Sequence, residues 1–301
     1  MTRKFSTIKV KGQLSTLENC NNWLAQAGIS VTNTRFNKIL SILRIIVEYY
    51  EQNRVPELMH QYDEATLFYV LTDTIAFIEI YELLRDKKNH ELPRKKLKEI
   101  INGPLLPWGE DSTDGTGHSR NTLFELETAA WFNNAGIEIE YFDDVGFSFS
   151  NHSFNVQCKR IHSSRNIADN VSAAADQLTK KMRNDPRMKG IICLSVDKLT
   201  ETEGWIFEVS NENEIAPMLN EIANNFIKKF NCIWQNLINI NIIGVAIVLK
   251  VLSSIKYEPY PMLTTCRTRI MDIIPNKAFY QGYDYLLIKS LSKKIGALKY
   301  K

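Results

Sequence analysis

The sequence predicts an α/β fold, a mixed β-sheet flanked by helices and preceded by an all-α N-terminal region. Three observations carry that expectation. Through the first hundred residues the apolar side chains recur at helical spacing. Residues 103–119, GPLLPWGEDSTDGTGHS, then interrupt the pattern with Gly, Pro, Ser and Asp. Beyond them a helical segment, three short alternating stretches, a second helical segment and a further β-type run follow in order, as in a sheet with helices packed on it. The boundaries are a helical region over 1–104, a linker over 105–118 and a sheet-containing domain over 119–301.

In the helical region, Ser15-x-x-Glu18 has capping-box spacing and opens a segment that Gly28 closes. Phe36, Ile39, Leu40, Leu43, Ile46 and Val47 then follow the i, i+3, i+4, i+7 rule. Pro56 breaks that helix, and one long apolar-periodic segment runs from about Glu57 to Arg85. The basic stretch Arg94-Lys95-Lys96-x-Lys98 opens a short helix ending at Asn102-Gly103-Pro104, and reads as a solvated face.

After the linker, Ser119 is placed to cap a helix over Arg120–Asn134, with Gly136 as its left-handed stop. The segments 137–142, 145–150 and 154–159 alternate as strands. A helix over 166–183 carries Ile167, Val171, Ala174, Leu178 and Met182 along one stripe. Further strands are expected over 190–196, 204–209, 242–251 and 262–274, with helices over 215–238 and 284–295.

Composition excludes several classes. At 44% hydrophobic and 24% charged residues the 301-residue chain is globular. A net charge of +3 makes any nucleic-acid surface a local patch. Cys20, Cys158, Cys193, Cys232 and Cys266 are far apart and odd in number, which suits a reducing compartment. The five histidines are equally scattered, which argues against zinc. The opening MTRKFSTIKVKG has no secretory apolar core, and the run 242–249 is too short to span a membrane. The expectation is a cytoplasmic protein with no membrane partner.

The third strand, FNVQCKR, sets Phe154, Val156 and Cys158 on one face and Gln157 and Lys159 on the other. Glu125 lies in the preceding helix within Phe124-Glu125-Leu126, and Asp143-Asp144 leads the second strand. Together these residues resemble the signature of the PD-(D/E)xK nuclease superfamily, a helix Glu, an Asp leading the second strand and (D/E)-x-Lys on the third. The resemblance covers about residues 119–196 and includes Ala174, Gln177 and Leu178, which match an A-x-x-Q-L pattern of related nucleases. It implies a restriction-endonuclease-like sheet. It also implies a catalytic set of Glu125, Asp144, Gln157 and Lys159, with Asp144, Gln157 and Glu125 holding Mg²⁺ or Mn²⁺. Arg160 and Arg165 would contact the nucleic-acid backbone.

Two departures stand out. Asp143 occupies the usual proline position, which leaves Asp143 and Asp144 as alternative registers. Gln157 replaces the usual acid, although some branches of the superfamily carry Gln-x-Lys. Glu127 competes with Glu125 for the helix position. What the resemblance implies is a metal-dependent nuclease acting on DNA more than RNA, in defence against foreign DNA, with a homodimer as one assembly suited to cutting two strands. The alternative is a degenerate nuclease fold that binds nucleic acid or a protein partner. Because Mg²⁺ takes oxygen ligands, including one or two carboxylates, Gln for Glu is expected to weaken metal binding.

Overall fold

The computed structural model describes residues 10–52, 54–106, 117–183, 185, 187–199, 206–211, 214–235, 241–255, 266–275 and 282–296. The expected strand residues 204–205 and 262–265, the helix residues 236–238 and most of the linker lie outside them.

Among the described residues five helices precede the linker: α1 (Val10–Gln26), α2 (Arg35–Glu51), α3 (Val55–Gln61), α4 (Glu64–Leu84) and α5 (Arg94–Ile100). Three expectations are corrected here. Helix α1 begins before Ser15, so the Ser15-x-x-Glu18 spacing lies inside the helix and caps nothing. The segment 57–85 is two helices. Pro56 sits in the first turn of α3, where its missing N–H costs no helical bond, and Asp63 starts α4 by accepting from the Thr66 backbone N–H at 2.6 Å. Helix α6 (His118–Asn134) starts at Gly117, so Ser119 is a helical residue rather than the cap. Gly136 does take the left-handed conformation that stops α6, with φ +70°.

Next come β1 (Ile139–Tyr141), β2 (Val145–Phe149), β3 (His152–Arg160), α7 (Ile167–Met182), β4 (Lys189–Ser195), β5 (Ile206–Val209), α8 (Ile215–Gln235), β6 (Ile242–Ile255), β7 (Cys266–Pro275) and α9 (Tyr283–Gly296). The sheet is mixed, with order β1-β2-β3-β4-β6-β5 and β7 added along β6. Strands β1, β2 and β3 form an antiparallel meander, whereas β3, β4 and β6 run parallel. The carboxyl ends of β3 and β4 therefore lie toward the same edge of the sheet as the start of β2, and β6 runs on past them to Ile255.

The pleat of β3 divides the interior in two. Phe154, Val156 and Cys158 join Ile191 and Cys193 of β4 in a core that continues through α6 into α1–α5. Phe132 of α6 meets Phe147 of β2 at 4.7 Å, and Phe147 stacks on Phe154 at 5.0 Å. On the other face Ile192 and Leu194 meet Ile167, Val171, Ala174, Leu178 and Met182 of α7, the stripe that the spacing predicts. The helical region shares the first of these cores with the sheet. A buried ion pair strengthens that junction, with Arg120 of α6 donating to Asp73 of α4 at 3.0 Å.

Candidate active site

Residue 144 immediately precedes β2, and the register pairs the next residue, Val145, with Val156. Continuing the antiparallel ladder by one residue sets Asp144 beside Gln157, at the roughly 5 Å Cα spacing of paired strands. Val156 and Cys158 belong to the α6-side core, so alternation turns Gln157 and Lys159 toward α7. The helix meets them there. Lys159 Nζ donates to Gln177 Oε1 at 2.8 Å, and Lys181 Nζ forms an ion pair with Asp144 Oδ2. Gln177 and Lys181 stand four apart on α7 and so present side chains on one face.

Asp144, Gln157 and Lys159 thus form one constellation, completed by Gln177 and Lys181. The side chain of Asp144 is 11% exposed. Gln157 is 6% exposed overall. Beside it on the strand, Asn155 Nδ2 donates to the hydroxyl of Tyr141, whose ring lies across Gly146. The sequence pattern names Gln177 only within the A-x-x-Q-L match and does not single out Lys181.

Glu125 is placed differently. Its carboxylate accepts from Lys96 Nζ of α5 at 2.6 Å, and the same ammonium donates to the backbone carbonyl of Asp143 at 2.8 Å. Glu125 therefore braces the Asp143–Asp144 turn through Lys96, on the α6 side of the sheet. Of the two aspartates, Asp143 is exposed whereas Asp144 is buried and faces α7. Of the two helix acids, Glu127 is buried and pairs with Lys250 of β6 at 3.0 Å.

The expected backbone-contacting arginines also separate. Arg160 follows Lys159 on the strand and lines a cleft on the α6 side with Phe124, Glu127, Asp197 and Lys250. Arg165 is exposed in the single 3₁₀ turn Ser164–Asn166. Between them, the Nδ1 of His162 lies 3.1 Å from Lys198 Nζ. Burial, and then the charges of Lys198 and Arg160, push the His162 imidazole down to about 4.

Among the described residues no group of three or more His, Cys, Asp or Glu side chains gathers to hold a metal. The donor set at Asp144 is of another kind, one carboxylate and the amide of Gln157. It fits a hard cation that keeps most of its water and takes its remaining ligands from substrate. No helix among the described residues is long and apolar enough to cross a membrane. Compared with protein-family models, curated proteins and solved structures, the chain matches none.

Proposed function

We propose that the chain is a metal-dependent nuclease that hydrolyses phosphodiester bonds of nucleic acid, DNA rather than RNA. One observation carries the reading. Asp144, Gln157 and Lys159 share the α7 face of the sheet, in the carboxyl half of β3 and at the start of β2. In α/β sheets ligands are bound toward the carboxyl ends of the parallel strands.

Asp144 and Gln157 are the residues that would hold Mg²⁺ or Mn²⁺. When bound, such an ion lowers the pKa of a water and draws electrons from a phosphoryl oxygen. Lys159 carries three ammonium donors, and its bond to Gln177 fixes their direction. The donors not used by Gln177 oppose the negative charge that grows on the phosphate oxygens as the nucleophile attacks. Glu125 acts at one remove, holding Lys96 against the turn that presents Asp144. The same reading places the protein in the cytoplasm and leaves each chain with one site, so two chains would cut two strands.

The test is cleavage of duplex DNA and of RNA by the full chain with Mg²⁺ or Mn²⁺. Asp144→Ala and Lys159→Ala are each expected to abolish it. A Lys159→Ala protein that cuts as fast as the wild type would sink the assignment.

A second reading rests on the neutrality of Gln157, which leaves Asp144 as the carboxylate of the pair. In that reading the site is a nuclease fold that binds nucleic acid without cutting it. Its signature is DNA binding with neither cleavage nor Mn²⁺ uptake.

A further inference from the structure

Lys181 has no part in the nuclease signature, yet its ammonium is paired with the carboxylate on which metal binding would depend. We propose that Lys181 is the site's own competitor for divalent metal. It neutralises Asp144 when no ion is present, and must release the carboxylate as an ion enters. The proposal rests on the metal-dependent reading above.

Three features point to displacement rather than a fixed structural pair. The Lys181 side chain is 40% exposed, so it can swing into water, whereas the Asp144 side chain at 11% cannot follow. The helix that carries Lys181 is held by its buried stripe and by the Gln177–Lys159 bond, so the ammonium can leave without moving α7. The Gln157 side chain extends from β3 on the same α7 face as Lys159, so its amide is a second oxygen donor that Lys181 does not use. An ion can take both oxygens, and two ligands at one centre favour it over a single ammonium. Once displaced, the Lys181 ammonium would be drawn to an incoming phosphate, so a polyanion that attracts it would also make room for the metal. By linkage each ligand then tightens the other.

The proposal is tested by calorimetric titration of the full chain with Mn²⁺ alone, comparing wild type with Lys181→Met, Lys181→Arg, Lys180→Met and Asp144→Asn. Lys180 is the neighbouring exposed lysine and reports long-range charge only. Losing a partly exposed ion-pair competitor should tighten Mn²⁺ by about three- to tenfold in Lys181→Met. Lys181→Arg should bind no more tightly than wild type, Lys180→Met should stay close to it, and Asp144→Asn should lose the site. Binding by Lys181→Met where wild type shows none also supports competition. Wild-type binding that Lys181→Met leaves unchanged or weakens overturns the competitor and spares the metal reading. Equal tightening in Lys180→Met and Lys181→Met likewise overturns the competitor alone. Absence of binding in every variant, or binding that survives Asp144→Asn, overturns both.

Discussion

The carboxylate of Glu127 accepts a hydrogen bond from Lys250 Nζ at 3.0 Å, joining α6 to β6 across 123 positions of sequence. The Glu127 side chain is only 1% exposed. The backbone N–H of Lys250 in turn donates to Asp197 at 2.6 Å. Removing the cation from a buried ion pair is destabilising, by about 3–5 kcal/mol. Lys250→Ala is therefore expected to lower stability by roughly that amount in denaturant unfolding. The double variant Glu127→Leu/Lys250→Met should regain much of it. A Lys250→Ala protein as stable as wild type would show that the pair is not structural and would reopen Glu127 as a metal acid.

Gly146 is needed for a steric reason. A Cβ at that position would lie 2.0 Å from the Tyr141 ring, and the ring is anchored by its hydroxyl to Asn155 at 3.2 Å. Gly146→Ala must push the ring aside and break that bond, an overpacking cost of about 1–3 kcal/mol. Combining it with Tyr141→Ala should make the second change less costly than either change alone predicts. Additive losses in thermal melts would mean that the ring and the glycine do not meet.

His162 should stay neutral through most of the acid range. Burial, then Lys198 and Arg160, hold it at about 4, against an ordinary 6.5. The unfolded chain takes up the proton first, so the contribution of His162 to stability is present above pH 6.5. It is lost as pH falls from there through about 4. An NMR titration should show the imidazole protonating near pH 4 and moving upward in Lys198→Ala. His162→Ala should lose less stability than wild type between pH 7 and pH 4. A His162 that titrates near 6.5 would refute both its burial and the field of Lys198 and Arg160.

What the sequence revealed follows from how local each cause is. The alternation of Phe154, Val156 and Cys158 and the stripe Ile167, Val171, Ala174, Leu178 and Met182 are period-2 and period-3.6 patterns read within one element, and both faces pack as expected. The break at Asp63 was harder to read, because apolar spacing runs across it and only the Asp63–Thr66 cap marks the boundary. At the site, β3 itself carries Gln157 and Lys159, so their shared side was legible. The ties to other elements were not. Lys96 sits in a basic run that reads as solvated helix surface and Lys181 lies off the apolar stripe of its helix, whereas tertiary packing brings them to Glu125 and Asp144, 29 and 37 positions away. No local pattern distinguishes the lysine in such a run that turns inward.

Gln157 supplies the sharpest functional prediction. Its neutral amide stands beside Asp144, which leaves the pair with one negative charge where the superfamily pattern usually carries two. Calcium and magnesium sites tune affinity by the number of charged ligands they present, so Gln157→Glu should strengthen divalent binding by about tenfold. The added carboxylate is also a new anion in a buried strand position, 6% exposed, so without metal the variant should be less stable than wild type. The two effects make a paired test. Thermal melts of Gln157→Glu should start below wild type in chelator and rise above it as Mn²⁺ is added, while wild type shifts less. Gln157→Leu, which keeps bulk but removes the oxygen donor, should lose the metal-dependent shift without the chelator-dependent loss. If Gln157→Glu melts alike with and without Mn²⁺, the strand position does not hold metal and the nuclease reading loses its second ligand.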